Sequence, residues 1–526
     1  MFDNRYFLFD FARGRKLDRK EAADLLDILT KCGYNGVCLH LEGFFETKTF
    51  PGAVRDGFFT LDDAKWFSQE CKNRELKLIP IVNFVGHAES FVHYQERFAH
   101  LRRKNSKHHQ LDLNCPELEN LAHTFIDELI DIYNPECLHI GGDECELNAE
   151  EKKIYTVFLS KLCEYLRGKN IVPCIWSDML YENQEMVEGF TRDVTVFDWW
   201  YMAHRPESLE FFKEKGFKDI YACPSNQGWD GFIGLQRRCP WPNCTPKDER
   251  NVAYNEVEAF LDDAKNLGIK NALFTDWENN SGHNLWSQMS LIARGALFMN
   301  DKTFSVGEIE NTLFGRVTPY TEISYLLQEL QAKIYEVLIE NKCNDGLTCR
   351  MSDAVYLSDK FNLLLEIAPV IMGDIEVMAK DAFAKCDKLF SEFKPQNDVE
   401  KRCYNSLYAT LYYAKSIYEI INLGANGYKH YHNAAIGQFS DLAQSKAELG
   451  ITAKYYDELI KTVSDYRKYQ KAAINDCGQT AKDLILLHGT IKNLKKIKAN
   501  LSSYAKKLSA NNHSSVLPSF MMLNGK

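Results

Sequence analysis

The chain has 526 residues, enough for a large barrel plus a second domain, with 45% hydrophobic and 26% charged residues, an ordinary globular balance. Its formal net charge is -10, and basic residues bunch only at Leu101-Arg102-Arg103-Lys104 and around Lys492 to Lys498, which argues against a nucleic-acid partner. The start MFDNRYFLFDFARG lacks the features of a secretory leader, no apolar run reaches membrane-spanning length, and none of the sixteen cysteines forms a CxxC pair, so a cytoplasmic chain with reduced thiols and no membrane partner is expected.

In chain order, eight short apolar runs alternate with helix-like stretches. They are FLFDFA (7–12), GVCLHLEG (36–43), LKLIPIVNF (76–84), CLHIGG (137–142), IVPCIWSD (171–178), VTVFDWW (194–200), IYACPS (220–225) and NALFTDW (271–277). Most are apolar on both faces, as parallel strands covered by helices must be. Between them, Asp18 with Glu21 and Thr60 with Asp63 have capping spacing. The first helix carries Ala22, Leu25, Leu26, Ile28 and Leu29 on one face and stops before Gly33, a C-cap. Pro116 can open a helix bearing Leu118, Leu121, Phe125, Leu129 and Ile130. Eight strand–helix units predict an α/β fold of the (β/α)8 TIM-barrel type. Long connections at 43–59 and 85–114 belong on the C-terminal face of such a barrel, where sites are built.

Beyond about residue 305 the strand-like runs vanish and helical stretches dominate, at 321–341, 360–390, 400–422 and 452–472. The expected division is a catalytic barrel over 1–304 and a mostly α-helical C-terminal domain over 305–526. The stripe Tyr404, Leu407, Leu411, Tyr412, Ile417 suits a core or a homodimer seam.

The polar residues gather where the strands end: Asp10 and Arg13, His40 and Glu42, Asn83 and His87, Asp143 and Glu144, Trp176 and Asp178, Asp198 to Tyr201, Asn226, and Asp276 to Glu278. One carboxylate at a strand end is often a helix cap; eight such ends point to a site. Trp176, Trp199, Trp200, Trp229 and Trp277 add indole faces there, some serving the core and the rest suited to stacking on sugar rings. Together they suggest glycosidic bond cleavage. Yet ordinary two-carboxylate glycosidases place their acid and nucleophile on opposite sides of the bond, and Asp143 and Glu144 are neighbours.

The run His139-Ile140-Gly141-Gly142-Asp143-Glu144 resembles the H-x-G-G-D-E signature of glycoside hydrolase family 20, the β-N-acetylhexosaminidases. Asp10-Phe11-Ala12-Arg13 resembles that family's D-x-x-R, Gly86-His87 its G-H, and Trp277-Glu278 its aromatic–acidic pair, all in the family's order. One departure is Asn83-Phe84-Val85, where many members have an acidic residue and proline before the G-H. The resemblance implies a retaining exo-β-N-acetylhexosaminidase that removes terminal GlcNAc or GalNAc from β-linked glycans without metal or organic cofactor. The substrate's own acetamido oxygen is then the nucleophile. By the same resemblance, Glu144 would be the acid and then the base, and Asp143 would orient the acetamido N–H. Arg13 would bind the outer sugar hydroxyls, Trp277 would wall the acetamide pocket, and Glu278 would hold an outer hydroxyl. Tyr201 is the tyrosine chosen for the acetamido oxygen. His87, His139, Trp176, Asp198, Trp199 and Trp229 complete the expected substrate-binding set.

Two other readings stand beside this one. A catalytically silent barrel could recognise amino sugars, although the intact Asp143-Glu144 pair speaks against it. A metal-dependent hydrolase could use His40, His87, His139 and Asp143, but no HxH or HExxH spacing supports it. Cys239 and Cys244, without a second pair, do not make a zinc site.

Overall fold

In the computed structural model, eight parallel strands pair in sequence order and the eighth closes on the first. The structure describes residues 1–10, 18–41, 46–51, 60–88, 91, 96–106, 110–201, 204–226, 233, 256–277, 284–340, 359–477, 482–509 and 517–518. The strands are β1 (Asn4–Asp10), β2 (Gly36–His40), β3 (Lys77–Ile81), β4 (Cys137–His139), β5 (Val172–Trp176), β6 (Thr195–Trp199), β7 (Ile220–Cys223) and β8 (Asn271–Asp276). The expected TIM barrel followed by helices is the fold observed.

Alternation along each strand separates two cores. Tyr6, Leu8, Cys38, Ile79, Ile81, Cys174, Trp176, Phe197, Tyr221, Cys223 and Leu273 fill the barrel interior. Their neighbours Phe7, Phe9, Val37, Leu39, Val196 and Phe274 point outward into the layer of helices. Both faces are therefore apolar, which is why the strands read as continuous apolar runs. β1 starts at Asn4, three residues before its apolar run. Its polar beginning is satisfied by Asn4 Nδ2 donating to Asn271 Oδ1 at 2.8 Å and Arg5 Nε donating to the Gly33 carbonyl at 2.8 Å. Side-chain bonding of that kind leaves no hydropathy signal.

Phe7 shows what the outer layer contributes. It is fully buried, edge-on to Phe9 (5.1 Å between centroids) and Tyr34 (5.8 Å), and stacked on Phe274 (6.2 Å). Phe7→Ala is expected to cost about 3–5 kcal/mol, the usual range for emptying an aromatic site in a core. Urea unfolding followed by circular dichroism measures it, and a midpoint unchanged from wild type would contradict the packing described.

The helix starts largely follow the sequence. Asp18 accepts from the Glu21 N–H at 2.7 Å, and the helix Arg19–Cys32 ends at Gly33 with φ +99°. Thr60 and Asp63 cap the helix Leu61–Asn73 reciprocally. The next helix differs from expectation, running from Leu118 to Tyr133, so Pro116 sits in the preceding turn rather than in the first helical turn.

After Met299 every described element is a helix: Val306–Phe314, Tyr320–Glu340, Asp359–Glu392, Asp398–Gly437, Leu442–Cys477 and Lys482–Lys507. None of the described helices is long and apolar enough to cross a membrane. Polar anchors join these helices to the barrel. Arg402 pairs with Asp24 and lies 5.5 Å over the Trp286 ring, whose Nε1 donates to Glu21 Oε1 at 2.6 Å. Tyr320 Oη donates to the Trp286 carbonyl at 2.5 Å. On the loop after β7, the Gln331 amide donates to the Ile233 carbonyl (2.6 Å) and accepts from its N–H (3.1 Å).

Candidate active site

The C-terminal end of β4 sets the site. Regular pairing stops at His139, because Gly141 (φ +74°) and Gly142 (φ +100°) leave the extended region. Space requires glycine here as much as the backbone angle does. A Cβ on Gly141 would stand 2.1 Å from Asn83 Oδ1 and 2.8 Å from its Cα; one on Gly142 would stand 2.7 Å from the Tyr155 hydroxyl, which donates to the Gly142 carbonyl at 2.6 Å. Gly86, from the loop after β3, closes against the same corner: its Cβ would meet the Asp143 carbonyl at 2.4 Å.

Beyond this corner the chain presents two adjacent carboxylates. The Glu144 side chain is 43% exposed and that of Asp143 only 14%. Glu144 has φ +48°, an angle that costs a residue with a Cβ about 1–2 kcal/mol and needs support from its surroundings. His87 bridges the pair. Its Nε2 lies 2.9 Å from Glu144 Oε2 and 3.8 Å from Asp143 Oδ2, so both carboxylates lie on one side of the site. Burial holds the Asp143 carboxyl above the usual range; His87 opposes this and the Glu144 charge adds to it.

An aromatic wall faces the pair. Trp199 at the end of β6 stacks on Tyr201 (5.0 Å), and Trp277 after β8 donates from Nε1 to the Tyr201 hydroxyl at 2.7 Å. Burial keeps the Tyr201 phenol protonated, so it can donate to an acceptor. Trp176 is buried beneath, 5.8 Å from Trp277 and 4.4 Å from His139. It is a floor of the barrel core beside which the wall stands. His139 is fully buried, accepts from the Gly141 N–H at 3.1 Å through Nδ1, and is held neutral by desolvation. It braces the glycine corner from within the protein.

Other expected residues are placed differently. Asp198, set between the inward Phe197 and Trp199, points outward and accepts from Ser208 Oγ at 2.6 Å, away from the carboxylate pair. Strand alternation accounts for that. Arg13, Trp229 and Glu278 lie outside the described residues. His40 is buried between Asp10 (3.1 Å) and Asn83 (3.3 Å), in a polar network that positions Asn83 against Gly141. Among the described residues no three His, Cys, Asp or Glu side chains converge as metal ligands.

Two supporting residues carried no assigned role in the sequence reading. Tyr155 holds the Gly142 carbonyl from the helix Ala149–Gly168 and shows in sequence only as a helix-core aromatic. Asp178, two residues after Trp176, accepts from the Glu144 N–H (2.8 Å) and from Trp199 Nε1 (3.2 Å). Its place at a strand end was the available signal. A cavity of about 540 Å³ at the opposite, N-terminal end of the barrel is lined by Tyr6, Lys77, Cys137, Cys174 and Tyr221 and has no part in this constellation.

A family profile described as the catalytic domain of glycosyl hydrolase family 20 matches residues 38–230, which span β2 to the loop after β7 and include Asp143 and Glu144. Over that stretch the barrel is similar to the catalytic domain of glycosyl hydrolase family 20. Lacto-N-biosidase of Bifidobacterium bifidum is 23% identical over 199 residues, covering 33% of this chain and 17% of that protein. The human β-hexosaminidase subunit beta is 21% identical over 257 residues, covering 42% of this chain and 45% of that one. The chain thus spans less than half the length of the curated relatives it matches. Among solved structures, a β-N-acetylhexosaminidase from Bacteroides fragilis superposes with a TM-score of 0.45 at 16% identity, covering 57% of this chain and 65% of that one.

Proposed function

We propose that this barrel is a glycosyl hydrolase of family 20, a retaining exo-β-N-acetylhexosaminidase acting on terminal GlcNAc or GalNAc of β-linked glycans and glycoconjugates. The observation that carries the reading is the position of the two carboxylates, both within reach of one His87 nitrogen and therefore on one side of any bound sugar. A protein nucleophile on the face opposite the acid is not supplied by this pair. The substrate's acetamido group can take that part.

In this mechanism Glu144, the more exposed carboxyl, protonates the leaving oxygen while the acetamido oxygen attacks the anomeric carbon. Asp143 accepts from the acetamido N–H and stabilises the positive charge that develops on it. The Tyr201 hydroxyl donates to the acetamido oxygen, and Trp277, which orients Tyr201, packs beside the acetamido methyl. Glu144 then takes a proton from water as it attacks the oxazolinium from the side the leaving group left. Two inversions give net retention.

Purified protein is expected to turn over 4-nitrophenyl β-GlcNAc or β-GalNAc, releasing the β-anomer first, and to leave 4-nitrophenyl β-glucoside intact. No turnover of either amino sugar, or equal turnover of the glucoside, would overturn the assignment.

A further inference from the structure

Asp178 opens the short helix after β5, and both of its carboxyl oxygens are occupied by protein donors. Oδ2 accepts from the backbone N–H of Glu144, the residue held at φ +48°, at 2.8 Å. Oδ1 accepts from the Trp199 indole at 3.2 Å, and Trp199 in turn stacks on Tyr201. One side chain thus ties the peptide carrying the proposed acid to the wall proposed to hold the acetamide. A left-handed angle at a residue with a Cβ persists only when its surroundings fix it, and this hydrogen bond is a direct restraint on that peptide.

We propose that Asp178 is a positioning residue that holds the Glu144 peptide in the left-handed turn, and so keeps the acid's carboxyl aimed at the leaving oxygen. The inference rests on the hydrolase reading above. Asp178 itself does no proton transfer; it acts through Glu144. The surroundings bear on it as well: burial and the neighbouring Asp143 charge push its carboxyl up to about 8, while the two N–H donors pull it down. In its ionised form the carboxyl accepts from both N–H groups at once, which an amide cannot do. In Asp178→Asn the NH2 must face one of the two N–H donors.

The test compares aryl β-GlcNAc substrates that differ in their need for a proton. A 4-methoxyphenyl leaving group requires the acid, and a 2,4-dinitrophenyl group does not. For Asp178→Asn, kcat/KM is expected to fall about 100-fold with the methoxyphenyl substrate and under about 10-fold with the dinitrophenyl one, the loss expected when an acid is misplaced rather than removed. Unfolded protein lowers both values equally, so the ratio is independent of how much of the variant folds. Trp199→Phe keeps the Glu144 bond, and its ratio is expected to stay at the wild-type value. Equal losses on both substrates, no loss, or a Trp199→Phe ratio shifted as far as that of Asp178→Asn would each overturn the positioning role. Wild-type protein inactive on both substrates would instead overturn the hydrolase reading itself.

Discussion

Glu144→Gln is expected to lower kcat/KM on 4-nitrophenyl β-GlcNAc by about 100- to 10,000-fold, the usual contribution of a positioned general acid–base group. The substitution is close to isosteric. The amide can still bond His87, which lies 2.9 Å from Oε2, and the glycine corner before it is unchanged. Only the ability to give and take a proton is lost. Substrate affinity should therefore change little, and a thiazoline analogue of the intermediate should bind the variant, which isothermal titration can check. Turnover within a few-fold of wild type would remove Glu144 from the mechanism.

The second large effect is expected at Asp143. In the proposed mechanism, Asp143→Asn replaces the acceptor for the acetamido N–H by a group that can present its own donor there, and loses the charge opposite the developing cation. Removing one such preorganised electrostatic partner costs about 100- to 1,000-fold in kcat. The pH dependence separates this from a folding defect. Burial holds the Asp143 carboxyl above its ordinary range, and the mechanism needs it ionised. Wild-type kcat/KM should then fall as the pH drops through a value above the usual aspartate range of about 4. The Asn variant, slow throughout, should lack that limb. Stability moves the opposite way. A carboxyl raised in the folded state contributes stability that is fully present below its unfolded pKa and is lost as pH rises through the folded one. The melting temperature of Asp143→Asn relative to wild type should accordingly increase with pH across that window. A constant difference would mean that Asp143 is not raised.

Much of this molecule is legible along the chain because burial on two faces leaves an uninterrupted trace. β2, β5, β6 and β8 coincide with apolar runs to within three residues, since inward Cys38, Trp176, Phe197 and Leu273 and outward Val37, Val196 and Phe274 are all apolar. The corner at Gly141-Gly142 is legible for a related reason: no side chain fits against Asn83 and Tyr155 at those angles. Asp198 shows where linear reading stops. It stands between two inward residues, and its outward direction toward Ser208 follows only once the strand is placed in the barrel.

By itself, then, the sequence determined the strand–helix alternation, the change to helices near residue 305, and the Asp143-Glu144 pair behind two glycines, because these depend on periodicity and on steric limits within a few residues. Tertiary structure alone decided that His87 reaches both carboxylates, that Trp277 orients Tyr201 from 76 positions away in the chain, and that Asp178 holds the Glu144 peptide. Those contacts join the ends of different strands. Barrel closure sets their distances, and no local propensity records it.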